Sequence, residues 1–172
     1  MGRDKALLPI DGVAMARRVA DALVEAGAAE VLALGGDLTG LAEVGLDARA
    51  DAEPGEGPFP ATLHALQLAA HPVVLVVSCD LVAPSADTMW QVVDALRAAP
   101  DAMVAVPVVD AHHQWTHAAW RTAAVASLQA ARDRGIGSLR RGTVGLPMVE
   151  LARLPPAGLA DADQPEDLPD RG

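Results

Sequence analysis

The chain has 172 residues, 51% of them hydrophobic, with a formal net charge of −10. That length suits one domain with a sizeable core, and the acidic balance, with no basic stripe, argues against a general nucleic-acid binder. A single cysteine, Cys79, rules out an intrachain disulfide, which is consistent with the cytoplasm, and no apolar run reaches membrane-spanning length.

Aromatic residues are scarce: one Phe, three Trp and no Tyr. The core is therefore expected to be built from Ala, Val and Leu. The chain opens with Met1-Gly2-Arg3-Asp4-Lys5, which holds the only lysine; the other twelve basic residues are arginine. Lysine offers a compact point charge on a flexible stem, which suits a phosphate, whereas arginine offers a planar fork. A solvated lysine near a terminus is the plainer reading of the same residue.

Apolar residues at helical spacing predict a helix over Ala14 to Ala26, with Arg17, Arg18, Asp21 and Glu25 on its other side and Gly27 as its stop. Glu30 to Leu34 reads as a short buried strand closed by Gly35-Gly36, and Leu46 to Ala50 as another that leads into Asp51. Three prolines and two glycines make Asp51 to Pro60 a loop, followed by a helix over Ala61 to Ala70. Val73 to Val77 is the clearest strand, a continuous branched apolar run suited to a sheet covered on both faces, and it ends at Ser78-Cys79-Asp80. A helix is predicted over Ser85 to Ala98 with Ser85 as its N-cap. Strands follow at Ala102 to Val106 and Thr116 to Trp120, then a helix over Thr122 to Arg134 ended by Gly135. The tail from Leu154, rich in Pro and Asp, is expected to close over the fold.

Strands alternating with helices predict a three-layer α/β domain with a mostly parallel sheet. In such sheets the site lies outside the carboxyl ends of the strands, where both Asp51 and Asp80 fall. A carboxylate there can hold a divalent cation, and Mg²⁺ takes one or two of them together with substrate phosphates. The same Asp80 can simply cap the turn that follows it. Asp51 can hydrogen-bond a sugar or base, and the glycines after it allow a backbone to approach a ligand; a plain surface loop has the same composition. His112, His113 and His117, interleaved with Trp115 and Trp120, read as a structural edge, as the wall of a pocket, or as a metal triad whose spacing matches no common zinc pattern. Arg140 and Arg141 after Gly137-Ser138-Leu139 suit a phosphate or a solvated helix end.

In order along the chain these segments resemble a family. Met1-Gly2-Arg3-Asp4-Lys5-Ala6-Leu7-Leu8-Pro9 is similar to the second half of the nucleotidyltransferase signature of molybdenum cofactor guanylyltransferases, the MobA type. Asp51 with Pro54-Gly55-Glu56-Gly57-Pro58 resembles that family's nucleotide-contacting loop, and Val73 to Asp80 its strand ending in Cys-Asp. Gln114 to Arg121, Gly137-Ser138-Leu139 and Asp163-Gln164-Pro165-Glu166-Asp167-Leu168 resemble its later motifs. Gly57-Pro58-Phe59-Pro60-Ala61, Gln114-Trp115-Thr116-His117 and Asp163 depart from the family pattern. The family signature also begins with a strand and Leu-Ala-Gly-Gly-x-Ser-x-Arg ahead of the Met-Gly.

The resemblance therefore implies a single Rossmann-like nucleotidyltransferase domain over 1–172, N-terminally incomplete, with the first strand and phosphate-cradling turn absent. It implies transfer of GMP from GTP to molybdopterin, with Asp80 holding Mg²⁺, Lys5 and Arg3 holding the triphosphate, and Asp51 and Gly57 contacting the nucleotide. His117 and Arg140 fall to the acceptor. Asp4 before Lys5 leans toward the guanylyl type. A cytidylyl relative and a non-catalytic nucleotide- or pterin-binding relative are the alternatives. Neither nucleic acid nor membrane is an expected partner; transient contacts with proteins of the cofactor pathway are.

Overall fold

The computed structural model describes residues 4–159. Within them the chain forms two compact units, one of residues 4–51, 78–90 and 155–159, the other of 52–77 and 91–154. Arg3 and the Asp163 to Leu168 motif lie outside the described residues.

The first unit begins with a 3-10 turn, Lys5–Leu7. A hairpin follows, β1 (Pro9–Ile10) antiparallel to β2 (Val13–Ala14), with Ile10 opposite Val13. Asp11 and Gly12 turn it at φ 51 and 80, the left-handed pair that a two-residue hairpin loop needs. Helix α1 (Met15–Glu25) matches the predicted span within a residue at each end. It buries Met15, Ala16, Val19 and Ala20, and its small side chains let it lie close to its neighbours. Strands β3 (Leu32–Leu34) and β4 (Asp47–Arg49) are parallel, with Leu34 opposite Arg49. Strand β3 is half-buried rather than fully covered, β4 exposes Asp47 and Arg49, and a short helix, α2 (Leu38–Glu43), joins them. Ala6, Ala16 and Leu41 form one core cluster with Leu7, Ala33, Leu46 and Ala48; Ile10 and Met15 form another with Leu8 and Val82.

In the second unit the first helix starts earlier than predicted. Helix α3 (Pro58–Leu68) takes in Pro58 and Pro60, because the first turn has no use for their missing N–H groups and their fixed φ already suits a helix. Strand β5 (Val73–Leu75) follows. Helix α4 (Ala86–Ala98) begins in the first unit, and there Ser85 Oγ accepts from the Thr88 N–H at 3.3 Å, as the predicted N-cap should. Next come β6 (Val104–Val109), β7 (His112–His113), β8 (Ala119–Arg121), α5 (Val125–Asp133), α6 (Leu139–Gly142) and β9 (Met148–Leu151).

These strands form one sheet in the order β5-β8-β6-β7, with β9 also on β6. Strand β8 is antiparallel to both β5 and β6, while β9 is parallel to β6. The α/β expectation holds, and the sheet is mixed: β5, β6 and β9 run one way, with β7 and β8 reversed. The stretch between β6 and β8 is a hairpin and one 3-10 turn, Trp115–His117, and holds no crossover helix of the kind that joins parallel neighbours.

The pleat sorts side chains to two faces. Val104, Val106 and Trp120 face Phe59, Leu63 and Leu66 of α3 and Leu128 of α5. Ala105 and Ala119 face Val92 and Leu96 of α4. The sheet of this unit is thus the middle of three layers. Phe59 and Trp120 are both 0% exposed, so this core is not the purely aliphatic one expected from composition. Of the tail, Pro156–Leu159 form a 3-10 turn in which Leu159 is buried. No helix of the described residues is long and apolar enough to cross a membrane.

Candidate active site

The turn that carries Lys5 is fixed by the residue before it. Asp4 Oδ1 accepts from the Ala6 N–H at 3.1 Å and Oδ2 from the Asp37 N–H at 2.8 Å. One carboxylate therefore ties the turn to the segment that leaves β3. Charged acceptors on backbone N–H groups are among the stronger hydrogen bonds. Both oxygens are committed to backbone, so the residue that leans toward the guanylyl type in the sequence acts here as a bracket.

Two glycines make room for that bracket. Gly36 sits at φ 75, and a Cβ on it would lie 2.5 Å from Asp4 Oδ2. A Cβ on Gly40, in α2, would run into Leu7 Cδ1. Asp37 caps α2 between them, its Oδ1 accepting from the Gly40 N–H at 3.1 Å. On the other side, the Gly35 N–H donates to the Arg49 carbonyl at 2.8 Å, and a Cβ on Gly35 would touch Asp51 Cβ at 3.4 Å. The lysine turn, the Gly35-Gly36 turn and Asp51 are thereby gathered at the carboxyl ends of β3 and β4, where parallel strands present ligand sites. Lys5 is exposed on its turn.

Asp80 belongs to the same unit. The Ser78 hydroxyl donates to its Oδ1 across the exposed Cys79. Leu81 is 1% exposed, and Val82 packs on the Ile10–Met15 cluster, which pins this segment to the hairpin after the lysine turn. Among the described residues no three His, Cys, Asp or Glu side chains converge on a metal. A half-buried carboxylate held by a hydroxyl fits a hard cation that takes its other ligands from phosphate and water, the way Mg²⁺ is commonly held, and not a structural metal.

The second unit carries the other sequence candidates. Gly57 precedes α3 at φ 87 and ψ −172, a backbone state nearly reserved for glycine. His117 is 3% exposed at the end of its 3-10 turn. Arg140 is exposed on the short helix α6. The three clustered histidines do not form a metal triad. Instead, the His113 ring Nε2 and Glu150 Oε1 are 2.7 Å apart, linking β7 and β9. The His113 ring lies 4.9 Å from Trp115, which lies 5.9 Å from Trp120, so this edge is a row of rings. Arg121, next to Trp120, donates to the carbonyls of Ala102 and Leu96 at 2.8 and 2.9 Å and closes the end of α4.

Residues 1–148 match the MobA-like NTP transferase domain family. Among solved structures, 2-C-methyl-D-erythritol 4-phosphate cytidylyltransferase from Thermus thermophilus is similar at TM-score 0.71 and 19% identity, over 95% of this chain and 89% of that one. Molybdopterin-guanine dinucleotide biosynthesis protein A from Archaeoglobus fulgidus is similar at 0.64 and 14%, over 87% and 75%. A Mycobacterium tuberculosis protein solved with manganese is similar at 0.61 and 18%, over 88% and 83%. At these identities the likeness is one of fold. No curated protein matches.

Proposed function

As the chain belongs to the MobA-like NTP transferase domain family, we propose that it transfers GMP from GTP to the terminal phosphate of molybdopterin, releasing pyrophosphate, as one domain acting in the cytoplasm. The observation that supports this most is the double hold of Asp4 on Ala6 and Asp37. It holds the turn that carries the only lysine against the Gly35-Gly36 turn, which Asp51 adjoins, in the unit that also holds Asp80.

In this reading a phosphate oxygen of the acceptor attacks the α-phosphorus in line. A new P–O bond forms as the bond to the bridging oxygen breaks, and the electron pair leaves with pyrophosphate. The work is charge neutralisation and positioning. The Lys5 ammonium, with Arg3, neutralises the triphosphate. Asp51 accepts a hydrogen bond from the nucleoside, and the loop backbone at Gly57 meets the nucleotide. Asp80 holds Mg²⁺, and the cation would supply positive charge to the phosphate oxygens. His117 and Arg140 are assigned to the acceptor. Contacts with proteins that deliver molybdopterin complete the proposal.

A cytidylyl transferase is the second reading, since Asp4, with both oxygens committed to backbone, does not choose the base. Calorimetry with Mg²⁺ and each of GTP, ATP, CTP and UTP separates the two. GTP should bind most tightly. A clear preference for CTP removes the guanylyl assignment and leaves the transferase; no binding of any nucleotide favours a relative without this activity.

A further inference from the structure

The loop over residues 52–57 follows Asp51 and carries Gly57. Its anchorage lies far away in sequence, on α5. Arg132 donates through Nη2 to Glu53 Oε2, across 79 positions. The same guanidinium lies over the Phe59 ring, its central carbon 5.8 Å from the ring centroid. Phe59 is fully buried in the first turn of α3, two residues after Gly57, so the platform under the guanidinium is rigid. At the start of the loop, the Ala52 N–H donates to His64 Nδ1 at 3.2 Å, which places the proton of a neutral His64 ring on Nε2. Arg132 therefore grips the loop at Glu53 and the helix that receives it at Phe59. A planar guanidinium can stack and fork at once; an ammonium offers only the charge.

We infer that Arg132 is a positioning residue for nucleotide binding: it clamps 52–57 so that the backbone at Gly57 is presented in one conformation. The inference rests on the nucleotide-transfer reading above. An ordinary surface ion pair would do less. Exposed pairs commonly contribute little, because both long side chains must be ordered in water. Here the Arg132 side chain is 22% exposed and Glu53 48%, and the arginine is already ordered by the ring beneath it.

Two measurements on the full chain decide it. The first is hydrogen exchange of the amides at 52–57 in the absence of any ligand. The second is the split between KM and kcat for the nucleotide. Arg132→Ala should speed exchange in 52–57 about tenfold while helix amides elsewhere keep their protection. It should raise nucleotide KM about tenfold and leave kcat within about twofold, the signature of lost uniform binding. Arg132→Lys keeps a charge for Glu53 and loses the planar fork over Phe59, so it should recover only part of the KM. Glu53→Gln should reproduce the alanine effect, and the double variant should add little, since the two residues act as one unit. Unchanged exchange at 52–57 in Arg132→Ala overturns the clamp. Faster exchange with unchanged KM overturns its role in nucleotide binding. If the parent chain uses no nucleotide, the transferase reading fails, and exchange alone decides the clamp: faster at 52–57 upholds it, unchanged removes it.

Discussion

The lysine turn and the loop at 52–57 are held by opposite means. The turn is held by backbone: one carboxylate on two N–H groups, fitted against glycines that have no room for a side chain. The loop is held by side chains: an arginine on a glutamate and a ring, and one amide on an imidazole. The bracket fails by steric intrusion or by loss of the carboxylate, and a charge bound to backbone dipoles depends on salt less than an ion pair does. A side-chain clamp fails by loss of charge and weakens as salt screens it. The first suits a group that must sit in one place in every state of the protein. The second suits a segment that a ligand can help to order.

The sharpest way to break the bracket is Gly36→Ala. The new Cβ would meet Asp4 Oδ2 at 2.5 Å, on a backbone at φ 75 that L side chains disfavour. A loss of roughly 2–4 kcal/mol of unfolding free energy is expected, combining left-handed strain with displacement of the carboxylate. Chemical denaturation measures it, and the loss should change less with salt than that of Arg132→Ala. Asp4→Ala should cost less, roughly 1–2 kcal/mol, as removal of a capping carboxylate commonly does. In a folded Asp4→Ala variant, nucleotide affinity should fall although Lys5 is untouched. Full affinity there would show that the bracket does not set the lysine.

The smallest effect calibrates the other side of the comparison. On α1, Arg17 Nε donates to Asp21 Oδ1 at 2.9 Å, with the Arg17 side chain half-buried and Asp21 exposed. That hydrogen bond holds the Asp21 carboxyl below its ordinary range and raises the Arg17 guanidinium. A folded-state value below the unfolded one means the pair stabilises fully above the unfolded carboxylate pKa of about 3.9. The contribution is lost as pH falls through the lowered folded value. For an exposed helix pair it is about 0.3–0.5 kcal/mol. Thermal melts of the parent and Asp21→Asn should therefore differ slightly at neutral pH and converge in acid. A difference that persists at low pH would assign the effect to helix propensity rather than charge.

Much of the backbone-held region is legible in sequence. Helix α1 follows from its apolar period, β3 from a short apolar run, β4 falls within the predicted Leu46 to Ala50, and Gly35-Gly36 reads as the stop it is. The bracket itself is hidden, because Asp4 and Asp37 are 33 positions apart and α2 has only six residues with a glycine among them. That glycine lowers helix propensity, and a side chain in its place would have to displace the end of Leu7. The Asp11-Gly12 hairpin escapes notice because strands of two residues show no alternation. The side-chain-held region is less legible still. Pro58 and Pro60 look like loop residues until Gly57 is known to deliver them into a first helical turn. Nothing local in Arg132 announces Glu53. The histidine and tryptophan cluster shows the limit from the other direction: its composition allows a metal site, and its geometry gives ring contacts and one His113–Glu150 pair.

Pyrophosphate release from GTP, with molybdopterin and Mg²⁺ present, is the decisive measurement when followed for the parent chain, Lys5→Ala and Asp80→Asn together. Asparagine keeps an acceptor for the Ser78 hydroxyl and removes only the charge, so Asp80→Asn should melt close to the parent. Release should be GTP-dependent in the parent and fall at least about a hundredfold in Asp80→Asn, with Lys5→Ala also losing nucleotide affinity. Parent-like release from a folded Asp80→Asn would contradict the assignment, because Asp80 would then be no more than a turn cap.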